Sequence, residues 1–330
     1  MIATAEAAPS APPLVTPAGL ERVTFRAMGT DVEVLLPVGH ATAVASAVAV
    51  FAAWERRLSR FDPDSELSRL NARSGAPVVV PQAVFDVVAT ALDAACATDG
   101  VFDPTILRRL EDLGYDRTFA EIGRGDAHGE PAPPRRPWTA AWRNVRLDPR
   151  TRTIDLPPGI GIDLGGIAKG MAVDAALASL ADLGLPVAAV NAGGDLAVRG
   201  TPPGTATWRI AVETRDGGEP VAIEGGALAT SSTERRRWTR GGAELHHLVD
   251  PRTGLPARSG LISVTVAAHA CAQAEVAAKT ALILGLDDGS AFLARTGLSA
   301  LAIDEAGVRH RIGAWLDLAT SAPPEGAVPA

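Results

Sequence analysis

Residues 162–170 read IDLGGIAKG, and this stretch decides the fold class. The apolar residues of 161–164 predict a short strand, and the apolar spacing that follows predicts a helix over 167–183. Two glycines join the two elements, because glycine lets the backbone turn sharply and approach a neighbour closely. A strand, a glycine turn and a helix predict a mixed α/β (α+β) protein that carries glycine-rich turns at its strand ends.

Apolar patterns predict further elements on both sides of this stretch. The predicted helices are 41–58, 82–98 and 272–284, and the predicted strands are 32–36, 187–190, 210–213, 227–230, 245–249 and 261–267. Pro, Gly and Arg crowd 118–139, which predicts a surface loop. The Ala- and Pro-rich ends predict flexible tails over 1–20 and 321–330, flanking one catalytic unit over 21–320.

Composition argues against several classes of protein. Hydrophobic residues make up 47% of the chain and charged residues 21%, which excludes general disorder. A net charge of −7 argues against nucleic acid or an anionic membrane as the main partner. Two cysteines predict neither a disulfide framework nor a classical zinc site. Without a basic leader or an apolar run of about 20 residues, we expect a soluble, cytoplasmic protein.

Lysine is almost absent from this chain. Of 31 Lys and Arg residues, only Lys169 and Lys279 are lysines. A lysine kept in a chain that otherwise uses arginine suggests a position that needs a compact ammonium rather than a planar guanidinium. Chance retention is the alternative.

The 162–170 stretch has the chemistry of an anion site. The free N–H groups of a helix start face an anion, and Lys169 adds a point charge for a phosphate. Asp163, at the predicted strand end, is placed to accept hydrogen bonds from a ribityl chain or a base. An ordinary turn with a surface lysine explains the pattern equally well.

A second glycine pair follows the strand predicted over 187–190. Asn, Ala, two glycines and Asp at 191–195 are typical of a tight hairpin turn. The alternative is a nest of amide donors for a phosphate. The pattern by itself favours the turn.

The stretch 246–254 combines two histidines with an Asp-Pro-Arg turn. An imidazole beside a carboxylate and a guanidinium suits phosphoryl transfer, which needs a base and positive charge at the transition state. A solvated strand end with an ordinary turn is the alternative.

Three shorter turns, 28–30, 60–67 and 101–105, each contain an apolar or aromatic residue that can flank a planar ring. Each is explained equally well by helix capping, for which Ser65 and Asp103 are suitable residues.

The order of these motifs along the chain resembles that of the ApbE family, the FAD:protein FMN transferases. In sequence the motifs are Ala-Met-Gly-Thr at 27–30, Phe-x-x-x-Ser-Glu-Leu-Ser-x-Leu-Asn at 61–71, Phe-Asp-Pro-Thr at 102–105, IDLGGIAKG at 162–170, Asn-Ala-Gly-Gly-Asp at 191–195, Ala-Thr-Ser-Ser at 229–232 and His-Leu-Val-Asp-Pro-Arg-Thr-Gly-x-Pro at 247–256. The likeness runs from about Arg22 to Asp317.

The resemblance implies one catalytic unit of two lobes with FAD in the cleft between them. It implies that a Ser or Thr hydroxyl of an acceptor flavoprotein attacks the FMN-side phosphorus, that AMP leaves, and that FMN remains as a phosphoester. It assigns catalysis to His247 rather than His246, with support from Asp250. The implied FAD-binding residues are Met28 and Phe61 on the isoalloxazine, Asp103 and Thr105 along the flavin, Asp163 and Lys169 on the ribityl–phosphate and adenosine portions, Gly193, Gly194 and Asp195 along the cleft, Ser231 near the pyrophosphate, and Val249.

The resemblance also implies a magnesium ion, and here the sequence departs from the family. The implied ligands are a main-chain oxygen, assigned to Gly166, and an Asp and a Thr, whose positions hold Glu275 and Lys279. Glu275 is able to bind magnesium, whereas an ammonium has three donors and no acceptor.

Three interpretations of this departure are open. In the first, Glu275 and Lys279 form an ordinary i,i+4 helix pair that stabilises the helix by about 0.2–0.5 kcal/mol. In the second, the Lys279 ammonium replaces the charge of the metal. In the third, Glu275 and a main-chain oxygen bind a weaker metal while Lys279 binds a phosphate.

Two other functions compete with FMN transfer. One is a non-catalytic FAD-binding or storage protein, and the other is an FAD pyrophosphatase that releases FMN and AMP.

Overall fold

The computed structural model describes residues 16–122, 139–215 and 217–315. Its α-helices in these ranges are α1 (Val44–Leu58), α2 (Glu66–Ala72), α3 (Gln82–Ala97), α4 (Leu107–Asp112), α5 (Phe119–Ile122), α6 (Ala168–Asp182), α7 (Cys271–Leu284) and α8 (Leu286–Thr296). Its strands are β1 (Leu20–Ala27), β2 (Thr30–Pro37), β3 (Pro77–Val79), β4 (Arg146–Asp148), β5 (Thr153–Asp155), β6 (Ala188–Ala192), β7 (Asp195–Arg199), β8 (Trp208–Thr214), β9 (Gly217–Ile223), β10 (Gly226–Ser232), β11 (Arg237–Arg240), β12 (Ala243–His246), β13 (Val249–Asp250), β14 (Leu255–Pro256), β15 (Leu261–Ala268), β16 (Ser299–Asp304) and β17 (Arg309–Ile312). None of the helices in these ranges has the length and apolar composition needed to cross a bilayer.

One antiparallel sheet of eight strands organises the fold, in the order β1-β2-β6-β7-β10-β15-β16-β17. Side chains alternate between its faces, as the period of two in a strand requires. Val34 and Val190 pack against α1 and α6 on one face. Leu35 and Ala189 pack on the other face, against the β8–β9 hairpin. The sheet is therefore covered on both faces.

Helices α6 and α7 pack closely on the helix-covered face. A Cβ built on Gly170 would lie 2.7 Å from the backbone of Ala272, so only glycine permits this approach. The Asp174 carboxylate of α6 accepts hydrogen bonds from the N–H groups of Cys271 (2.8 Å) and Ala272 (3.0 Å), at the start of α7. Burial raises the pKa of Asp174, while these two hydrogen bonds oppose the rise. The first half of α6 is thereby joined to the first turn of α7.

The long elements confirm the sequence prediction of a mixed α/β fold. The helices predicted over 82–98, 167–183 and 272–284 match α3, α6 and α7, and that over 41–58 begins with a short 3-10 turn before α1. The predicted strands match β2, β6, β8, β10 and β15. Strand β1, which pairs with β2 along its full length, was not predicted. The expected division into two lobes stays a prediction.

Two predicted strands differ from the structure. Residues 162–164 form no strand, because the side-chain amide of Asn71 bonds the N–H (2.7 Å) and the C=O (2.9 Å) of Ile162, and Asp163 N–H bonds Pro104 O (2.8 Å). The strand predicted over 245–249 breaks after His246, because the chain changes its partner there from β11 to β14. A periodicity of two cannot show such a change of partner.

Part of the loop predicted over 118–139 is helical, since α5 covers 119–122, and 123–138 lie outside the described residues. Nearly all of the predicted tails lie outside them as well.

Candidate active site

Lys169 lies at the centre of the candidate site, in the first turn of α6. Its Nζ contacts a carboxylate oxygen of Asp195 and lies 2.9 Å from Oε1 of Glu275. The two carboxylate side chains are 2% and 7% exposed. Oε2 of Glu275 accepts a hydrogen bond from Gly170 N–H at 2.8 Å. The structure thus unites three of the predicted site residues.

The 191–195 segment is the hairpin turn between β6 and β7, as its pattern favoured. Gly193 and Gly194 have φ of 65° and 102°, in the left-handed region that favours glycine. A Cβ on Gly193 would lie 2.3 Å from Thr30 Oγ1. Gly194 N–H donates to Asn191 Oδ1 at 3.1 Å, so this amide is engaged within the turn. The hairpin places Asp195 opposite Lys169.

Asp163 is held by a residue that the sequence prediction missed. Arg60 Nε lies 2.7 Å from Asp163 Oδ2, and the side chains are 7% and 10% exposed. The Arg60 guanidinium lies over the rings of Phe61 (4.2 Å) and Tyr115 (4.4 Å). Oδ1 of Asp163 accepts from Gly165 N–H at 3.0 Å. Arg60 lies next to Phe61 in the 60–67 turn, and this position was the signal in the sequence that could have identified it.

Residues 102–105 form a turn beside the glycines of the 162–170 stretch. Asp103 Oδ1 accepts from the Thr105 N–H (2.7 Å) and hydroxyl (2.5 Å). The capping role predicted for Asp103 is therefore that of a local turn, because α4 begins only at Leu107. The capping prediction for Ser65 is confirmed, since its hydroxyl accepts from Ser68 N–H at 3.0 Å.

Lys279 is half-buried next to this turn. Its Nζ lies 5.4 Å from the centre of the Phe102 ring, and a Cβ built on Gly166 would lie 3.1 Å from it. The i,i+4 helix pair with Glu275, one of the three interpretations, is not formed, because the oxygens of Glu275 bond Lys169 and Gly170. Burial lowers the pKa of Lys279, and the charges of Asp163, Glu275 and Asp103 act in the opposite direction.

His247 follows β12 and is half-buried. Burial holds its pKa well below the ordinary value, and the charges of Arg236, Lys279 and Lys169 lower that pKa further. The imidazole is therefore neutral at pH 7. Its Nδ1 is buried and has no hydrogen-bond partner in the described parts of the chain.

The neighbouring histidine is placed differently. His246 Nε2 lies 3.1 Å from Ala257 O, so this ring bonds the backbone of the adjoining segment. That geometry agrees with the preference for His247. Arg236, which acts on the pKa of His247, was missed by the sequence prediction, although it lies only four residues after the end of the Ala-Thr-Ser-Ser motif.

The hydrogen-bond partner of the Asp250 side chain in the structure is Arg252. Its carboxylate accepts from Arg252 Nε at 2.9 Å, Arg252 Nη2 at 3.0 Å and Arg252 N–H at 2.9 Å. These bonds satisfy both oxygens and fix the turn after β13. Asp250 therefore shapes the segment that follows His247, and the supporting role that the resemblance assigns to it stays a prediction.

The remaining predicted residues lie on the same side of the sheet or beside it. Met28, with φ of 50°, forms the β1–β2 turn and packs against two of the apolar clusters on the helix-covered side. Ser231 lies in β10, two residues from Ala229 and four from Ala227, and Ala227 packs with α6. Val249 is 1% exposed and packs with Ile106 and Trp238.

The sequence pattern of the ApbE family matches residues 28–302. The chain belongs to the ApbE family. This confirms the resemblance, and the ApbE match contains every predicted site residue.

Named relatives of this ApbE chain are FAD:protein FMN transferases. That of Rhodobacter capsulatus is 32% identical over 303 residues, covering 87% of this chain and 56% of the relative. The chain thus spans little more than half of that longer relative. Those of Salmonella typhimurium and Treponema pallidum are 29% and 30% identical, covering 76% and 72% of this chain and 73% and 70% of the relatives.

Solved ApbE structures share the fold. The Thermotoga maritima ApbE protein is 27% identical with a TM-score of 0.76, covering 89% of this chain and 97% of that one. The apo Pseudomonas stutzeri flavinyl transferase ApbE is 25% identical with a TM-score of 0.75, covering 89% and 94%. The predicted fold class is confirmed.

The implied magnesium ligands do not fit a metal in this chain. Both oxygens of Glu275 already accept hydrogen bonds, and the Lys279 ammonium has no lone pair to donate. Magnesium needs a near-octahedral set of oxygen ligands. Within the described ranges, no group of three or more His, Cys, Asp or Glu side chains is arranged to hold a metal ion.

Proposed function

We propose that this chain transfers the FMN moiety of FAD to a Ser or Thr hydroxyl of an acceptor protein and releases AMP. The observation that carries the proposal is the neutral imidazole of His247 beside the cations Arg236, Lys279 and Lys169. A neutral imidazole accepts a proton, and surrounding cations stabilise an anion that gains charge during the reaction. Relatives that align with most of the chain are named FAD:protein FMN transferases, which supports the same activity.

In the proposed complex, the flavin lies against the turns that carry apolar and aromatic side chains. Met28 and Phe61 would contact the ring system, with Asp103 and Thr105 along its polar edge. Val249 is buried in the cluster against which Phe61 packs, and would support that ring from behind. Arg60 holds Asp163 in one orientation, and this carboxylate would bond ribityl hydroxyls. Such fixed partners reduce the entropy that is lost when a flexible ligand binds.

The diphosphate would lie on the other side, near the first turn of α6. Lys169, held between Asp195 and Glu275, and the glycine turns 165–166 and 193–194 would form this wall. Ser231 would approach the same group from β10. The start of α6 and the ammonium of Lys279 favour an anion there, whereas Lys169 is paired with two carboxylates.

Transfer then follows in one displacement. His247 takes the proton from the acceptor hydroxyl while that oxygen forms a bond to the FMN-side phosphorus. The bond from this phosphorus to the bridging oxygen breaks, and the electron pair leaves with AMP. The proton on His247 is returned to AMP or to solvent, so each turnover gives an FMN phosphoester, AMP and one proton. No step is assigned to a metal, because the donor set does not fit one.

The test is incubation with FAD and a candidate acceptor, a redox protein that carries flavin. We expect fluorescent flavin to stay on the acceptor in a denaturing gel, with AMP released in equal amount. An acceptor whose Ser or Thr is changed to Ala is the matched control and should stay dark. Free FMN plus AMP would show a pyrophosphatase, and intact FAD would show a storage protein. The expected cytoplasmic location stays a prediction.

A further inference from the structure

Lys279 is a half-buried cation without a partner in the described parts of the chain. Its Nζ makes no hydrogen bond or ion pair with any residue of the ranges 16–122, 139–215 and 217–315 that the structure describes. Its close neighbours are the Phe102 ring and the backbone at Gly166. Even partial removal of an ammonium from water is unfavourable unless the charge is paired, so this position is suited to an anionic ligand.

The other lysine shows the contrast. Lys169 contacts two buried carboxylates, Asp195 and Glu275, and its charge is neutralised by the chain itself. The two lysines of this protein therefore differ in the charge that they offer to a ligand. Only the charge of Lys279 is left over for one.

The surroundings of Lys279 fix its position. The Phe102 ring attracts the ammonium at 5.4 Å, and the absence of a side chain at Gly166 leaves room for it beside the turn before α6. A divalent ion bound at the implied magnesium position would lie close to the Lys279 ammonium. Glu275 could bind such an ion only by breaking its hydrogen bonds to Lys169 and Gly170. The positive charges of the ion and of the Lys279 ammonium would repel each other at this short distance.

We propose that the Lys279 ammonium, as a permanent part of the chain, supplies at the FAD diphosphate the positive charge that a divalent cation would otherwise supply, so that FAD binds without a metal. This inference rests on the proposed function. An ammonium is a compact point charge with three donors, which suits the oxygens of a diphosphate. The acceptor hydroxyl still attacks the FMN-side phosphorus, and Lys279 balances the negative charge that develops on the AMP-side phosphate.

The experiment is isothermal titration of the full-length, flavin-free protein with FAD, in EDTA and in excess Mg²⁺. The variants are Lys279→Met, which keeps the length of the side chain, and Arg295→Gln. Arg295 is exposed in α8, so its replacement makes the same change of net charge far from the site. Riboflavin, which has no phosphate, is titrated in parallel, and urea unfolding checks that each variant is folded.

For wild type we expect equal FAD affinity in EDTA and in Mg²⁺. Lys279→Met should bind FAD at least about tenfold more weakly, as for loss of a charge-assisted contact, with unchanged affinity for riboflavin. Arg295→Gln should match wild type.

Wild-type FAD binding that requires Mg²⁺ would overturn the inference and leave the proposed function standing. Unchanged FAD affinity in Lys279→Met, or an equal loss for riboflavin, would overturn it too. Absence of FAD binding in every condition would overturn the proposed function together with it.

Discussion

The ammonium of Lys169 lies 2.9 Å from Oε1 of Glu275, although 106 residues separate the two in sequence. On its other side the same ammonium contacts Asp195, at the start of β7. One side chain therefore ties the start of α6 to α7 and to the β6–β7 turn. Both carboxylates are buried, so each depends on this cation for its charge balance.

Replacing the two lysines should have opposite consequences for stability. Lys169→Met leaves two buried carboxylates without their cation, and we expect it to lower the free energy of unfolding by about 3–5 kcal/mol. Lys279→Met is the matched control, because it removes an ammonium that no carboxylate of the described ranges pairs with. It should leave stability nearly unchanged or raise it. Urea unfolding of both variants measures the difference, and equal losses would contradict this account of the network.

The buried pair Arg60–Asp163 should show strong coupling. Arg60→Met and Asp163→Asn each break the ion pair from one side, and the double variant removes both charges. The hydrogen bond from Arg60 to Tyr115 O is lost in both variants that lack Arg60, so it cancels in the comparison. We expect the double variant to lose less stability than the sum of the two single losses, with a coupling free energy of about 0.5–3 kcal/mol. The exposed pair Arg26–Asp31 is the control and should show coupling near zero. Additive losses at Arg60 and Asp163 would show that their contact contributes nothing.

The sequence predicted the parts of the site that depend on local pattern. Glycine pairs, a helix start with a lysine, and Asp-Pro turns are short signals, and the structure places them as turns around α6 and β6–β7. These signals are local because a turn is specified by residues that are adjacent in the chain.

Contacts between distant segments could not be predicted in this way. Asn71 replaces a strand partner for Ile162 from 91 residues away, and Arg60 reaches Asp163 from another element. Asp250 looked suited to orient His247, yet the guanidinium two residues later binds it first. Each outcome depends on which partner the fold brings within bonding distance, and spacing along the chain does not contain that information.

Gly170→Ala should separate α6 from α7. The added Cβ would lie 2.7 Å from Ala272 Cα and N, and the backbone there cannot move aside without displacing α7. Overpacking of this kind costs about 1–3 kcal/mol, more than the gain of at most about 1 kcal/mol from replacing a helical glycine. We expect a lower urea midpoint and, because the Gly170–Glu275 bond is stretched, weaker FAD binding.

Gly225→Ala is the control for this change. A Cβ at Gly225 meets no atom within 4 Å, so stability should stay within the error of measurement. If the two variants have the same midpoint, the close approach of the two helices is not required for the fold.

The rate of FMN transfer should depend on the protonation state of His247. The base form is neutral, so transfer is fully active above the pKa of His247 and is lost as the pH falls through it. That pKa is held well below its ordinary value of about 6.5, first by burial and then by the charge of Arg236. The acid limb of kcat/KM should therefore lie below pH 6.5. His247→Asn should reduce kcat by about 10²–10⁴ and leave FAD affinity unchanged.

Arg236→Gln tests the cause of this shift. Loss of the cation raises the pKa of His247, so the acid limb should move to higher pH, and the rate on the plateau above it should fall because one stabilising charge is gone. The matched control is Arg209→Gln, which removes an exposed charge on β8, on the opposite face of the sheet. A limb that stays in place in Arg236→Gln, or that moves equally in both variants, would show that Arg236 does not set the protonation of the imidazole.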